Sequence, residues 1–464
     1  MNSRRSHRRL CWLTALCLLC APMGALGEPS QNLPPLPEDL IPALRPILVS
    51  ALRQSPQMIE HNIDIAQAEG ARIQNAAGLL PSVSSTVQYG SDTTSAAGGF
   101  AAASSLGMQY SVSANQPIYH WGALKARAAY GRIGVKIAER QYAEAYRQLV
   151  VSLRSQFLAL TAKKIALRNI EFALQQAEEA VTLADEKLKT KSISEGIVSS
   201  AKWTRDLTRL DRDRAVEDLE NSRRLFLLSS GQTDLGVEAI SDEVPRPSYA
   251  PEAVARLLQR FSQSAGEGVY AILNLRDSIK QAQIDYRIAR VQLLPQLGLS
   301  AWVNQSTQTQ MNGNSLDRYV TRSSNYDLVA SWSIFDGFAT RGAKLSALSR
   351  KRNLERSLRT SLDQIMVQAS DEEKQLGFSW RSLEFAQQSR DAAEATIKIL
   401  MEDVRLGRSS SVDVGPARQS FFQSEYSLAV ARSDFLNRWS EFVSTLCVDP
   451  MLDFVPQHYL DDAK

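Results

Sequence analysis

Few residues in this chain can do chemistry. The histidines are His7, His61, His120 and His458, and the cysteines are Cys11, Cys17, Cys20 and Cys447. Past the first twenty or so residues they stand far apart, with no His/Cys cluster at metal-site spacing. There is also no Gly-x-Ser-x-Gly elbow and no glycine-rich phosphate loop. The sequence therefore points to no enzyme, no metal and no cofactor. One stretch does hold a constellation: VRLGRSSSVDVGPAR, Val404 to Arg418. Gly407 suits the left-handed conformation that ends a helix. Ser410 is placed to cap the next helix, and Asp413, at its third position, completes a capping-box-like pattern beside the positive helix end. The residues spell a helix, a tight turn and a returning helix.

The elements around this turn must be read from the whole chain. At the N-terminus, Arg4, Arg5, Arg8 and Arg9 precede the apolar LCWLTALCLLCAPM, and Ala25-Leu26-Gly27 supplies small residues before Glu28. This is the pattern of a secretory leader over 1–27. Cys20 follows Leu18-Leu19 and lacks the small residue that favours lipid attachment. Without the leader, 49 basic side chains face 50 acidic ones, so the formal charge moves from +3 to −1. The pI of 8.6 then gives no reason to expect nucleic acid as a partner. Only Cys447 would remain, so the mature protein must be held by packing and not by an intrachain disulfide. Beyond the leader no apolar run approaches the ~18 residues of a membrane helix.

The chain is written twice. GLLPSVSSTVQY (78–89) recurs as QLLPQLGLSAWV (292–303) at an offset of 214, and QPIYHWGALKA (116–126) recurs as WSIFDGFATRG (332–342) at 216. In the first copy Tyr146, Leu153, Leu160, Leu167, Leu174, Val181 and Leu188 recur every seven residues. Adding 216 gives Leu362, Ala369, Leu376, Leu383, Arg390, Ile397 and Val404, with one polar exception. A sustained seven-residue apolar repeat indicates long helices packed as in coiled coils. The spacing predicts helices over 123–189 and 339–405, each 67 residues and roughly 100 Å long. Return helices are expected over 195–229 and 411–446, and a helix leads into each strand pair (roughly 52–79 and 267–293).

Before each long helix lie two stretches with period-two alternation. They predict strands at about 81–90, 107–118, 296–304 and 326–335, each close to the length of a tilted membrane strand. The small, polar segments 91–106 and 306–325 read as exposed loops. Four strands cannot close a barrel, and open strand edges are not tolerated in lipid. Membrane-spanning strands would therefore have to be pooled between copies. Three copies give twelve strands, a size within the range of known barrels. The alternative is a soluble periplasmic coiled-coil scaffold with two ordinary hairpins.

In this order and repeated at a constant offset, these marks resemble the TolC-like outer-membrane channels of export and efflux systems. They are Leu-Leu-Pro before a strand (79–81 and 293–295), Gln-Pro-Ile-Tyr (116–119) or Ser-Ile-Phe-Asp-Gly (333–337) entering a long helix, and the Gly-x-x-Ser-x-x-Asp-Val-x-x-Ala turn. The resemblance covers about residues 40 to 447. It implies a mainly α fold with a small β part. Each chain would give four strands to a trimeric twelve-stranded barrel in outer-membrane lipid, and helices to a long antiparallel α-helical barrel in the periplasm. The implied partners are two further copies, a periplasmic adaptor and an inner-membrane pump, which would supply the energy for type I protein secretion or small-molecule efflux. His120 stands where the family often has Asp, at the strand-to-helix junction beside Trp121, which suits a structural role at the membrane interface.

The chain then divides into a leader (1–27), a Pro-rich extended segment (28–38), a first repeat (39–231), a linker (232–250), a second repeat (251–447) and a tail (448–464). The resemblance makes both helical turns periplasmic tips that meet the adaptor, through Lys191, Ser194, Gly407, Arg408 and Ser410. It also makes Asp413 one of three carboxylates around a closable mouth, a ring that favours cations. The offset of 216 maps Gly407 to Lys191, Ser410 to Ser194 and Asp413 to Ile197, so the first tip keeps the serine and loses glycine and aspartate. Lys191 must then adopt an unfavourable backbone, or the turn differs. Pro416 replaces a further acidic residue of the family pattern, so the constriction should carry fewer carboxylates.

Overall fold

The computed structural model describes residues 33–94, 103–264, 266, 268–312, 315–410 and 414–456. The leader, Asp413 and His458 lie outside the described residues. Nine helices and four strands are described, together with short 3-10 turns at Val237–Ala239 and Pro450–Phe454. They run α1 (Pro37–Leu40), α2 (Leu44–Gln54), α3 (Pro56–Ala77), β1 (Ser82–Thr94), β2 (Ala103–Tyr119), α4 (Ala123–Lys189) and α5 (Glu195–Ser230). The second half continues with α6 (Pro251–Gln263), α7 (Tyr270–Val291), β3 (Gln296–Asn312), β4 (Ser315–Ser331), α8 (Ala339–Arg405) and α9 (Val414–Thr445).

The heptad positions form the inner seam of the long helices. Tyr146, Leu153, Leu160 and Val181 are buried on α4, as are Ala369, Leu376 and Leu383 on α8, and the remaining heptad residues are half-buried. The helix expected to begin near 52 is two helices. Ser55 is extended before Pro56, whose ring fits the first turn of a new helix and cannot continue the old one. The N-terminal segment is not extended throughout either: it turns into α1 at Pro37, with Leu36 and Glu38 buried.

The sheet order is β1-β2-β3-β4 and every pairing is antiparallel. The strands are longer than the alternation marks. The described residues of 91–106, which are 91–94 and 103–106, are strand and not loop, as is most of 306–325, while β4 ends at Ser331, before Trp332 and Ile334. Across the inner part of the ribbon, one face carries the rows Val83–Ala114–Ala301–Tyr326, Ser85–Val112–Val303–Ser324 and Tyr89–Met108–Thr307–Val320. The opposite face carries Ser82–Asn115–Ser300–Asp327, Thr86–Ser111–Asn304–Ser323 and Gln88–Gln109–Ser306–Thr321, with Trp302 as the main apolar exception. One apolar and one polar face is the pattern of a strand ribbon between lipid and an aqueous lumen. All four helix connections leave at one end of this ribbon, and both hairpin connections lie at the other.

Below the sheet, the chain is a single curtain. Beside the strands its lateral order is α3, α4, α7, α8; farther away it is α5, α4, α9, α8. Two core clusters fill the middle. The first centres on Tyr146, Phe157, Leu158 and Phe226, the second on Phe435, Trp439 and Phe442. Here the segments that precede α2 and follow α9 are clamped to α4. Buried Arg154 donates to Glu38, to Asp449 at 2.5 and 3.0 Å, and to Ser440 Oγ at 2.9 Å. Trp439 Nε1 donates to the Pro34 carbonyl at 2.9 Å. The linker joins this belt through buried Leu235, Ile240 and Val244, and the tail through Met451, Leu452 and Val455.

Candidate functional site at the two helical tips

At the second tip, α8 ends with the N–H of Gly407 on the Val404 carbonyl (3.0 Å) and that of Arg408 on the Asp403 carbonyl (2.8 Å). This pair of bonds is a Schellman motif, with Gly407 left-handed at φ 69°. At the first tip, α4 ends the same way. The N–H of Lys191 bonds the Leu188 carbonyl at 2.8 Å, and that of Ser192 bonds the Lys187 carbonyl at 2.9 Å. Lys191 takes φ 56°, so the backbone turn is kept without glycine. For a residue with a Cβ that conformation costs about 1–2 kcal/mol. Thr190 supports it: its Oγ1 donates to the Lys187 carbonyl at 3.0 Å and lies 2.9 Å from Ser192 Oγ.

Ser194 occupies the expected N-cap position with extended backbone, but its side chain makes no capping hydrogen bond. Its carbonyl instead accepts the Ile197 N–H at 3.1 Å. Ser410 is exposed at the end of the second turn, and α9 is described from Val414. Ile197, the repeat equivalent of Asp413, lies in the first turn of α5 with 53% of its surface exposed. Both tips are polar and basic on the outside: Lys187, Lys189, Lys191 and Arg408 are exposed. Arg405 is spent locally on Glu402, 2.5 Å away, and its hydrogen bond holds the Glu402 carboxyl below the ordinary carboxylate range.

The other residues singled out by chemistry do not gather at the tips. His120 is half-buried at the strand-to-helix junction, where its carbonyl accepts the Ala123 N–H at 2.9 Å. Beside it, Trp121 Nε1 donates to the Pro295 carbonyl at 2.7 Å. His61 pairs with Asp64 on α3 at 3.2 Å. Cys447 lies at the end of α9, where burial pushes its thiol up to about 11. Among the described residues no three or more His, Cys, Asp or Glu side chains gather as a metal site would require, and no helix is long and apolar enough to cross a membrane.

The profile of the outer membrane efflux protein family matches residues 47–218 and 263–446, which is most of the chain and both repeats. The chain belongs to that family. Solved structures with the same fold include the outer membrane channel CmeC of Campylobacter jejuni. It is 15% identical with TM-score 0.65, over 88% of this chain and 86% of that one. The outer membrane protein VceC of Vibrio cholerae is 17% identical with TM-score 0.63, over 88% and 97%. The open state of the Neisseria gonorrhoeae channel MtrE is 12% identical with TM-score 0.63, over 87% and 89%. No curated protein matches the sequence.

As an outer membrane efflux protein, the chain is an outer-membrane channel with a periplasmic helical extension, and the soluble scaffold alternative falls. The strand ribbon is then the membrane part, and the tips lie far below it in the periplasm.

Local spacing missed two groups of residues. Arg154 carries the belt, yet its partners Glu38 and Asp449 are 116 and 295 positions away. The available signal was a lone charge in the apolar stretch LVVSLRSQFLAL, next to heptad residue Leu153. The second group is the apolar residues left exposed on the outer helices. On α5 these include Trp203, Leu207, Leu210, Leu225 and Leu228, and on α8 Leu345, Val367, Phe378, Phe385 and Ile399. They are spare apolar positions outside the heptad seam.

Proposed function

We propose that three copies of this chain form one exit duct, and that a periplasmic adaptor docks an inner-membrane pump onto its tips. The observation that carries this reading is the coincidence of open edges. β1 and β4 have no outer partners in the described sheet, and β4 of one copy beside β1 of the next would be antiparallel, as every other pairing is. On the same two sides of the curtain, α3 and α5 expose Ile63, Ile73, Trp203 and Leu228, while α8 exposes Val367, Phe378 and Phe385. A second and third copy would cover both kinds of edge with the same rotation. Closed symmetry of this kind removes strand edges that lipid does not tolerate.

In this reading the leader 1–27 directs export. Substrate passes the polar ribbon face, and energy comes from the pump. Asp413 of three copies would ring the mouth and favour cations, with Ile197 adding nothing to that charge. Lys191, Ser194, Gly407, Arg408 and Ser410 would face the adaptor. Single-channel recording of the full oligomer tests the mouth: Asp413→Ala should lower cation selectivity and weaken divalent block. Unchanged selectivity and block in an otherwise conducting channel would remove Asp413 from the constriction. Cysteines at positions 191 and 408 should cross-link to the adaptor; failure of both would remove the tips from that contact.

A further inference from the structure

The strand ribbon separates its charges by face. On β4, Asp317 and Asp327 stand in rows with Gln310 and Ser300 on the polar face. Arg318 and Arg322 stand in rows with Thr309 and Gln305, on the face that also carries Val320, Tyr326, Leu328 and Ala330. Both arginines are exposed. Two cations on a lipid-facing surface need a reason, because Arg or Lys there costs about 2–4 kcal/mol at the bilayer midplane and only about 0–1 near its boundaries.

Height resolves this. Arg322 lies eight residues and Arg318 twelve residues from Ala330, in the first apolar row at the helix end of the ribbon. At ~3.3 Å per residue and a tilt of ~40°, these are heights of about 20 and 30 Å, against an apolar band about 25 Å tall. The two side chains bracket the far boundary of the hydrocarbon, on the hairpin side of the ribbon. Helices in the periplasm put that side at the cell surface, so the boundary belongs to the outer leaflet.

Arg322 is also held in place. Its Nε donates to Gln305 Oε1 at 2.7 Å, and the same oxygen accepts from the Tyr110 hydroxyl at 2.7 Å. This brace crosses three strands and fixes the guanidinium plane while using one of its five N–H donors. Between the two arginine rows lies Tyr89–Met108–Thr307–Val320, with Tyr89 70% exposed. An aromatic ring with a polar tip suits the headgroup boundary. The acids lie on the lumen side, so the outward potential here is positive.

We propose that Arg318 and Arg322 form a clamp for the phosphate groups of an anionic lipid in the outer leaflet. A planar guanidinium fork matches phosphate oxygens bidentately. Two such forks four residues apart on one strand face suit a headgroup with more than one phosphate. The clamp rests on the membrane-barrel reading above, with the hairpins outward.

The test uses the full oligomer in phosphatidylcholine nanodiscs doped with lipid A, which carries two phosphates. Retained lipid A is counted by native mass spectrometry after detergent exchange. The wild type should retain about tenfold more lipid A than R318Q/R322Q, with equal phosphatidylcholine. R318K/R322K, which keeps the charge without the fork, should lose about threefold. Equal retention in the wild type and both variants would overturn the clamp. Displacement of lipid A by millimolar inorganic phosphate would also overturn it, in favour of a free-anion site. Single-channel conductance is read in parallel. A conducting wild type without lipid selectivity removes the clamp alone, whereas a wild type that does not conduct removes the barrel beneath it.

Discussion

The two repeats share a backbone but not an environment. Among the described residues, left-handed positions recur in pairs at the offset of 216: Trp121 with Gly337, Gly122 with Phe338, Lys191 with Gly407, and Gly231 with Cys447. In every pair one copy has glycine and the other a side chain. The turns are therefore dictated by the path of the chain between packed elements. Glycine lowers the cost of the turn and is indispensable only where something else stands close. At Gly231 an added Cβ would lie 2.1 Å from the Gln54 carbonyl oxygen, because the α2–α3 corner presses on the end of α5. At Gly407 nothing lies within 4 Å of that position. The long helices differ in the same way. α4 buries Tyr146, Leu149, Leu153, Phe157 and Leu158 between neighbours on both sides. α8, equally long, leaves Val367, Phe378 and Phe385 in the open. α4 is covered from both sides within the chain, whereas α8 at one edge, like α3 and α5 at the other, keeps apolar side chains uncovered.

The largest effect should come from breaking that asymmetry at the outer edge. F378D/F385D places charges where the neighbouring copy would pack. It should abolish the oligomer in sedimentation while leaving the helical content of the chain intact. Matching charges on α4's heptad seam should unfold the chain instead. Arg154→Leu comes next, because repeat two has Ser370 at the equivalent position and no such clamp. Leaving Glu38 and Asp449 buried and unpaired should cost about 3–5 kcal/mol in denaturant unfolding, and expose both chain ends to protease. Adding E38Q and D449N should recover part of that loss.

Gly231→Ala should cost about 3 kcal/mol, from the left-handed backbone together with overpacking against Gln54. Cys447→Gly at the equivalent turn should be nearly neutral or slightly stabilising. The smallest effects belong to the tips. Lys191→Gly should stabilise, and Gly407→Ala destabilise, each by about 1 kcal/mol, read as opposite changes in amide-exchange protection confined to the tip. Equal costs at both members of a pair would show that the environment does not decide where glycine is needed.

The long helices were legible because a heptad seam and a constant offset bound them from inside the sequence. The inner halves of the strands were legible for a similar reason, since lipid on one side and lumen on the other impose alternation. Their outer halves were not. Past Val303, β3 reads Asn304-Gln305-Ser306-Thr307-Gln308-Thr309-Gln310, polar on both faces, and such a stretch looks like loop although the ladder continues to Asn312. Ser194 shows the limit of local motifs: position and residue type fitted a cap, but the turn satisfied itself through backbone and Thr190. The Arg154 clamp was hidden because its partners, Glu38 in α1 and Asp449 after α9, are brought together only by packing on α4.

The proposed assembly makes one chain a third of a channel. It is tested most directly by the mass of the detergent-extracted full-length protein, measured on the same sample whose conductance is recorded in planar bilayers. A particle of three chains that opens a pore is the predicted result. A monodisperse single chain that opens no pore would contradict it.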